Sequence, residues 1–421
     1  MGSSGTATRT LDEYLQTLGG FSSGPPGVTR LAYGEAWCDA HAWLARCARE
    51  LGLAATPDAI GNLFFHDPGV PPGDLNRSVL LVGSHLDTAP DDGRYDGAYG
   101  VLAALRVAAG LRDRRALPVV GFASCAGEDG RFGQCSPGAH GMLGLVRREE
   151  LELSRDRQGV TWMRALEQAR ARGCAAALAE SGSPCPVLFH PALMLELHVE
   201  QGPLLESEGR ALGIVEQVAG CRRMLVRLSG EKRYAGTTPM SLRRDALAAA
   251  AEMVIATERL ARKAGPPAVA TAGFVQAEPG LFHAVPGTCR LGIEVRHAAR
   301  AKLVELTAAI GQQCRAIAEG RGVEIVLEEA PGLEPVALSA ALADAAEAVA
   351  GRLKIPHTRL ASGSVHDAMV FARQGVPALL LLVPSRGGVS HAPEEFTDPA
   401  HLATGERFLL EFVRWLTEAR G

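Results

Sequence analysis

Residues 78–105 read SVLLVGSHLDTAPDDGRYDGAYGVLAAL and decide the fold of the first part of the chain. The apolar run before His85 predicts a buried strand, a glycine-rich loop follows it, and GVLAAL begins a helix. Similar apolar runs occur in PVVGFAS (118–124), LMLELHV (193–199) and PALLLLV (377–383). Buried strands that alternate with helices predict an α/β fold, with a mixed, mostly parallel sheet covered by helices on both faces.

A different pattern interrupts this fold after Leu212. Five strand-like segments, an Ala/Leu-rich helix at 241–263 and a second helix at 302–318 predict a compact α+β unit with a four-stranded sheet. We therefore predict a discontinuous catalytic domain, 1–211 and 334–421, and an inserted domain, 212–333. The length of 421 residues agrees with two domains, because single cores rarely grow beyond about 250 to 300 residues.

Composition narrows the class of function. The chain has 43 Lys+Arg and 47 Asp+Glu, so its net charge of −4 does not favour binding to nucleic acid or to an anionic membrane. The apolar runs are shorter than the roughly 20 residues of a membrane span, and the first ten residues do not resemble a secretory signal. Nine cysteines without CxxC pairs predict neither a disulfide framework nor a thiolate zinc site. We expect a cytoplasmic protein that acts on a small molecule.

Nitrogen and oxygen ligands follow several of the predicted strands. His85 and Asp96 lie in the loop after the first strand, and Glu128, His198 and His391 lie at or after three later ones. Such a set suits two divalent cations that share one carboxylate, with Zn, Mn, Ni or Co as candidates. The alternative for the first loop is a solvated acidic surface. For a single His or Glu after a strand, the alternative is a hydrogen-bonded structural residue.

Several of these segments resemble a known family. GSHLDT, DGAYGVLAAL, ELHVEQGPLLE, AGTTPMSLRRDA, AVPG, SVHDA and VSHAPEEFT are similar to the M20 metallopeptidase superfamily, in its amidase, hydantoinase and carbamoylase branch. That branch contains N-carbamoyl-L-amino-acid hydrolases, β-ureidopropionases and allantoate amidohydrolases. The resemblance implies metal-dependent cleavage of a C–N bond, a dinuclear site with the five ligands above, and Asp87 as the residue that orients His85. It also implies that the inserted domain is a lid that carries a homodimer contact.

The loop around residue 127 departs from the family pattern. When the family's glutamate-pair pattern is aligned without gaps on Arg131 and Phe132, the two glutamate positions are Gly127 and Glu128. The expected metal ligand is retained as Glu128, whereas the position of the general base is Gly127. A missing general base typically costs about 10² to 10⁴-fold in rate. Asp129 is the neighbouring carboxylate that we consider as its replacement, and Gly127→Glu is expected to create or raise hydrolysis.

The inserted domain departs from the family at three further positions. The oxyanion-binding His of the family is Tyr234, whose hydroxyl can still donate a hydrogen bond. Two other positions that contact the substrate in the family are occupied here by Cys221 and His283. Of the family residues that bind the substrate carboxylate, only Arg296 remains. We interpret Cys221 as a buried pocket residue rather than a nucleophile. The alternative is that Tyr234, His283 or Cys221 transfers the proton or supplies the nucleophile.

These departures leave three functions open. The first is a hydrolase of amide, ureido or amidine C–N bonds with altered chemistry. The second is a non-hydrolytic enzyme that performs a cyclisation, condensation or elimination in a specialised biosynthetic pathway. The third is a catalytically silent homologue that binds or dimerises. Retention of all five candidate ligands favours an enzyme, because a decayed site has no physical reason to keep them.

Overall fold

The computed structural model describes residues 9–418 except 115, 129–130 and 181–182. Its helices are α1 (Leu11–Gly19), α2 (Glu35–Glu50), α3 (Ala98–Gly110), α4 (Pro137–Met142), α5 (Arg148–Leu153), α6 (Trp162–Ala171), α7 (Leu204–Ser207), α8 (Ala246–Ala264), α9 (Arg300–Arg321), α10 (Ala340–Arg352), α11 (Asp367–Arg373) and α12 (Pro399–Glu418). Its strands are β1 (Ala54–Pro57), β2 (Leu63–His66), β3 (Ser78–His85), β4 (Val119–Ser124), β5 (His190–Val199), β6 (Leu212–Val218), β7 (Gly220–Ser229), β8 (Arg233–Tyr234), β9 (Val269–Glu278), β10 (Ala284–Val285), β11 (Thr288–His297), β12 (Glu324–Leu333), β13 (Val336–Ala337), β14 (His357–Ser362) and β15 (Ala378–Val383).

Two compact units divide the chain. The first unit comprises residues up to Glu216, Ala337–Leu360 and residues from Val365 onward, and the second comprises Gln217–Val336 and Ala361–Ser364. The sequence-based boundaries lie at 212 and 333. None of the helices in the described ranges combines the length and apolar character needed to cross a membrane.

A nine-stranded sheet organises the first unit. Its order is β1-β2-β4-β3-β5-β15-β6-β13, with β14 paired to β6. The central strands β4, β3, β5 and β15 are parallel to one another, and the pairs β1–β2, β2–β4 and β15–β6 are antiparallel. The prediction of a mixed, mostly parallel sheet with helices is confirmed. The apolar runs at β3, β4 and β15 are almost wholly buried, as expected for strands covered on both faces.

A four-stranded antiparallel sheet forms the core of the second unit, as the sequence predicted. Its order is β12-β7-β11-β9, helices α8 and α9 pack on it, and β8 and β10 form a separate two-stranded ribbon. The predicted start of the first helix at Ser241 was wrong. Helix α8 begins at Ala246, because the Asp245 carboxylate accepts hydrogen bonds from the free N–H groups of Leu247 and Ala248 and caps the helix there.

Candidate metal centre

Four neighbouring parallel strands bring the predicted ligands to one edge of the sheet. His85 is the last residue of β3, and His198 is the penultimate residue of β5. Glu128 follows the end of β4 by four residues, and His391 follows β15. Asp96 precedes α3 in the loop that leaves β3. The carboxyl ends of parallel strands share one edge, which is where α/β sheets place their ligand sites.

The first ligand group consists of His85, Asp96 and His198, all of them buried. Asp96 Oδ1 lies 3.1 Å from Nε2 of His85 and 3.1 Å from Nε2 of His198, and the two Nε2 atoms are 3.4 Å apart. A tetrahedral cation with bonds of about 2.0 to 2.1 Å separates its ligands by about 3.3 Å. The three atoms therefore form a triangle of the size that such a cation requires.

Hydrogen bonds fix both imidazoles in the tautomer that binds metal. His85 Nδ1 lies 3.0 Å from the backbone oxygen of Asp87 and 3.3 Å from its Oδ1, so Nδ1 carries the proton and Nε2 is left with its lone pair. His198 Nδ1 donates in the same way to the backbone oxygen of Val199 at 2.8 Å. The N–H of Gly97 donates to Nε2 of His198, which agrees with an unprotonated nitrogen there. The predicted partnership of Asp87 with His85 is present in the geometry.

The second group shares Asp96 with the first and adds Asp92, Glu128 and His391. His391 Nε2 lies 3.4 Å from Asp96 Oδ2 and 3.7 Å from Glu128 Oε1. The two carboxylate oxygens of Asp96 thus face different groups, as a bridging ligand requires. Asp92 was not among the ligands predicted from the sequence, where a solvated acidic surface was only the alternative for this loop. It is only 1% exposed.

The electrostatics of the site favour the binding of positively charged ligands. Burial and the neighbouring Asp96 carboxylate raise the pKa of Glu128 to about 7. The hydrogen bond to Asp96 and the field of the surrounding carboxylates raise the pKa of His391 to about 9. Asp96 Oδ1 is a buried atom that accepts no well-directed hydrogen bond from any described residue. A buried carboxylate oxygen without a well-directed donor is costly, so the residues present fit a pair of divalent cations.

Two further residues that the sequence did not suggest hold this arrangement. Gln201 Nε2 donates to Asp96 Oδ2 at 2.5 Å and lies 3.2 Å from His391 Nε2. Glu395 Oε1 accepts the backbone N–H groups of Tyr95 and Asp96. Gln201 and His391 also have φ of 58° and 52°, a left-handed backbone that is unfavourable outside glycine and clusters at functional sites.

Gly127 is packed against His85. Its N–H donates to Asp87 Oδ1 at 2.7 Å, and a Cβ atom built on it would lie 2.5 Å from both Cβ and Cγ of His85. Such an approach is far inside van der Waals contact, so no side chain fits at position 127 while His85 keeps its place. The expectation that Gly127→Glu would restore a base is therefore incompatible with this geometry. Asp129, considered as the replacement base, lies outside the described residues.

The remaining predicted residues lie in the second unit. Tyr234 in β8 is exposed and pairs with Ala284 of β10, and the ring of His283 is centred 6.4 Å from that of Tyr234. Cys221 in β7 is a buried free thiol directly opposite Arg296 in β11. Arg296 and Cys221 are therefore brought together, and Tyr234 and His283 form a second pair.

Arg296 already has protein partners. Its Nε donates to Glu294 Oε1 at 2.6 Å and its Nη1 donates to the backbone oxygen of Gly363 at 2.8 Å. The other oxygen of Glu294 accepts a hydrogen bond from Arg223. A substrate carboxylate that binds Arg296 through Nε would have to displace Glu294, which the sequence did not suggest.

Comparison with known proteins places these observations in a family. A family model described as peptidase family M20/M25/M40 matches residues 81–415. The chain is 33% identical over 410 residues to the allantoate amidohydrolase of Bacillus subtilis, covering 96% of each chain. It is 32% identical to the N-carbamoyl-L-amino-acid amidohydrolase of Paenarthrobacter aurescens, covering 96% of this chain and 97% of that one. The crystal structure of an amidase of the hydantoinase/carbamoylase family from Burkholderia multivorans matches with a TM-score of 0.83 and 29% identity over 97% of both chains.

Proposed function

This chain belongs to peptidase family M20/M25/M40, and we propose that it is a metal-dependent hydrolase of a non-peptide C–N bond in a small, amino-acid-like substrate. The relatives support the bond type, because they are named for hydrolysis of allantoate and of N-carbamoyl-L-amino acids. The single observation that carries the proposal is the convergence of four side chains, His85, Glu128, His198 and His391, on the shared carboxylate of Asp96.

The proposed cofactor is a pair of divalent cations, with Zn, Mn, Ni and Co as candidates. When bound, such a pair polarises a carbonyl group and lowers the pKa of a water molecule. His85, Asp96 and His198 would hold one cation, and Asp96, Glu128 and His391 the other. Asp87 would act through His85, because the proton held on Nδ1 keeps the lone pair of Nε2 directed at the cation.

The proposed substrate contacts come from the second unit. Arg296 would bind the substrate carboxylate through charge-assisted hydrogen bonds. The Tyr234 hydroxyl would donate a hydrogen bond to the developing oxyanion, and His283 and Cys221 would shape the pocket. The exposure of Tyr234 leaves its hydroxyl accessible, and the register of Cys221 against Arg296 places these two side chains side by side on neighbouring strands. Asp129 stays a sequence-based candidate for the proton acceptor.

We also propose that the inserted domain, 212–333, is a lid that carries a homodimer contact. Large apolar side chains exposed on this unit support an interface, among them Met240, Leu242 and Phe282. Light scattering of the wild type and of Phe282→Asp would test this; an unaltered mass of one chain in both would contradict it. A cytoplasmic location is proposed because all nine cysteines are free.

The experiment that tests the function starts from chelator-treated full-length protein. Reloading with Zn, Mn, Ni or Co should bring about two ions per chain and should give ammonia release from allantoate or release of a free amino acid from N-carbamoyl amino acids. Asp96→Asn should lose both, since it removes the shared ligand. Asp91→Asn removes an exposed charge from the same loop and serves as the matched control. Less than one ion per chain, with no gain on reloading, would contradict the proposal.

A non-hydrolytic reaction is a second candidate, and the packing of Gly127 favours it. No carboxylate can be placed at 127 beside His85, so proton abstraction from water lacks the family's base. Cyclisation, condensation or elimination on the same cations would not need that base. Efficient hydrolysis of N-carbamoyl amino acids by the wild type would rule this candidate out. If His85→Ala leaves the biological activity intact, a catalytically silent binding homologue is supported instead.

A further inference from the structure

The loop between β3 and α3 contains a buried carboxylate that the proposed function has not used. One oxygen or nitrogen atom from each of Asp92, Asp96, Glu128 and His391 lies within 4.8 Å of all the others. Asp92 is 1% exposed, whereas its neighbour Asp91 faces solvent. Because Asp92 is buried near the other ligand atoms and Asp91 is exposed, only Asp92 is a candidate member of the site.

The backbone holds Asp92 in place. Its N–H donates to the oxygen of Val28, and the N–H of Val28 donates back to the oxygen of Asp92. The side-chain oxygens accept hydrogen bonds from the N–H groups of Ala89 at 3.0 Å and Gly93 at 2.7 Å. A carboxylate has about four lone-pair directions, so these two bonds leave capacity for a cation. Asp92 is therefore a positioned donor rather than a freely moving side chain.

A second observation concerns the carboxylate that both groups share. Asp96 is 1% exposed, its Oδ2 faces the second group and its Oδ1 faces the first, and Oδ1 accepts no well-directed hydrogen bond from the described residues. Three carboxylates and one imidazole then occupy a volume small enough for a single ion. Buried negative charges at such distances repel one another strongly unless a cation lies among them.

We propose that Asp92 is a ligand of the second cation, together with Asp96, Glu128 and His391. This inference rests on the proposed function, because it assigns one more ligand to the cation pair of that site. The two subsites then have different ligand sets. The first has two imidazoles and one carboxylate, and the second has three carboxylates and one imidazole. Oxygen-rich sets suit Mn²⁺ and imidazole-rich sets suit Zn²⁺, so the second subsite should prefer Mn²⁺ more than the first does.

The test measures cation binding directly. Chelator-treated full-length wild type, Asp92→Asn and Asp91→Asn are titrated with Mn²⁺, with free Mn²⁺ followed by electron paramagnetic resonance and heat by calorimetry. The wild type and Asp91→Asn should bind two ions. Asp92→Asn should bind one of the two ions at least about 10-fold less tightly, with the affinity for the other little changed. An Asp92→Asn isotherm that superimposes on the wild type would overturn the proposal.

Thermal unfolding separates a ligand from a structural carboxylate. A cation that binds only the folded state raises the unfolding temperature according to its concentration and dissociation constant. The rise caused by Mn²⁺ should therefore be smaller in Asp92→Asn than in Asp91→Asn. If Asp92→Asn lowered the unfolding temperature by the same amount with and without Mn²⁺, Asp92 would have a structural role and the proposal would be overturned. Failure of the proposed function gives a different result, because the wild type itself would then bind no cation.

Discussion

Replacement of Gly127 by alanine gives a test of the packing around His85. The new methyl carbon would lie 2.5 Å from Cβ and Cγ of His85 and 2.7 Å from its Cδ2. Carbon atoms prefer separations of about 3.5 to 4.0 Å, so one of the two residues must move by about 1 Å. Extra methyl groups in packed sites typically cost about 1 to 3 kcal/mol.

The same movement should damage cation binding. Ligand distances tolerate deviations of only about 0.2 Å, so a shift of about 1 Å takes His85 Nε2 out of the first ligand group. We expect Gly127→Ala to lower the free energy of unfolding of the chelated protein by about 1 to 3 kcal/mol. We also expect it to lower the affinity for the first cation by more than about 10-fold, because metal affinity is sensitive even to the groups that orient a ligand.

Urea unfolding followed by tryptophan fluorescence is a suitable assay. All four tryptophans, Trp37, Trp43, Trp162 and Trp415, belong to the first unit, so the signal reports on the unit that contains the site. Gly351→Ala is the matched control, since a Cβ there would meet no atom within 4 Å. If Gly127→Ala were as stable as this control and bound its full complement of cations, the packing argument would be refuted.

Two further predictions concern the two units separately. Burial lowers the pKa of His41 to about 4, so the folded protein should lose up to about 3 kcal/mol as the pH falls from about 6.5 to 4. His41→Gln should flatten the dependence of the urea midpoint on pH in that window, and an unchanged slope would contradict this. Arg296→Gln should raise the KM for a carboxylate substrate by about 10-fold or more, with little effect on kcat. An equal rise in KM for the corresponding amide substrate would show that Arg296 does not bind the carboxylate.

The sequence was most informative where one physical requirement dominates. Apolar runs ending in His85 and His198 predicted buried strands, and the structure has both strands. A buried parallel strand must be apolar almost throughout, so a histidine at its end stands out. The strand-like segments after Leu212 likewise predicted the four-stranded sheet of the second unit, where strands such as β7 and β11 have one buried and one more exposed face.

Features set by tertiary contacts could not be predicted in the same way. Asp91 and Asp92 are identical in type, and only the pairing of Asp92 with Val28 determines which of them is buried. The role of Gly127 also depends on a tertiary contact, the close approach of its backbone to the His85 side chain. From the sequence it was a missing carboxylate, whereas the structure shows a backbone segment that needs the absence of a side chain.

The contacts of Glu395 have a consequence for synthesis of the chain. Glu395 Oε1 accepts hydrogen bonds from Tyr95 and Asp96, residues that precede it by 300 and 299 positions. The loop that presents the Asp96 carboxylate is therefore completed only by a residue that is synthesised 299 positions later. We expect a nascent chain to emerge with an unfinished cation site, and a truncation before residue 390 to misfold with its acidic loop exposed. Loading with metal would then be a late, post-translational event.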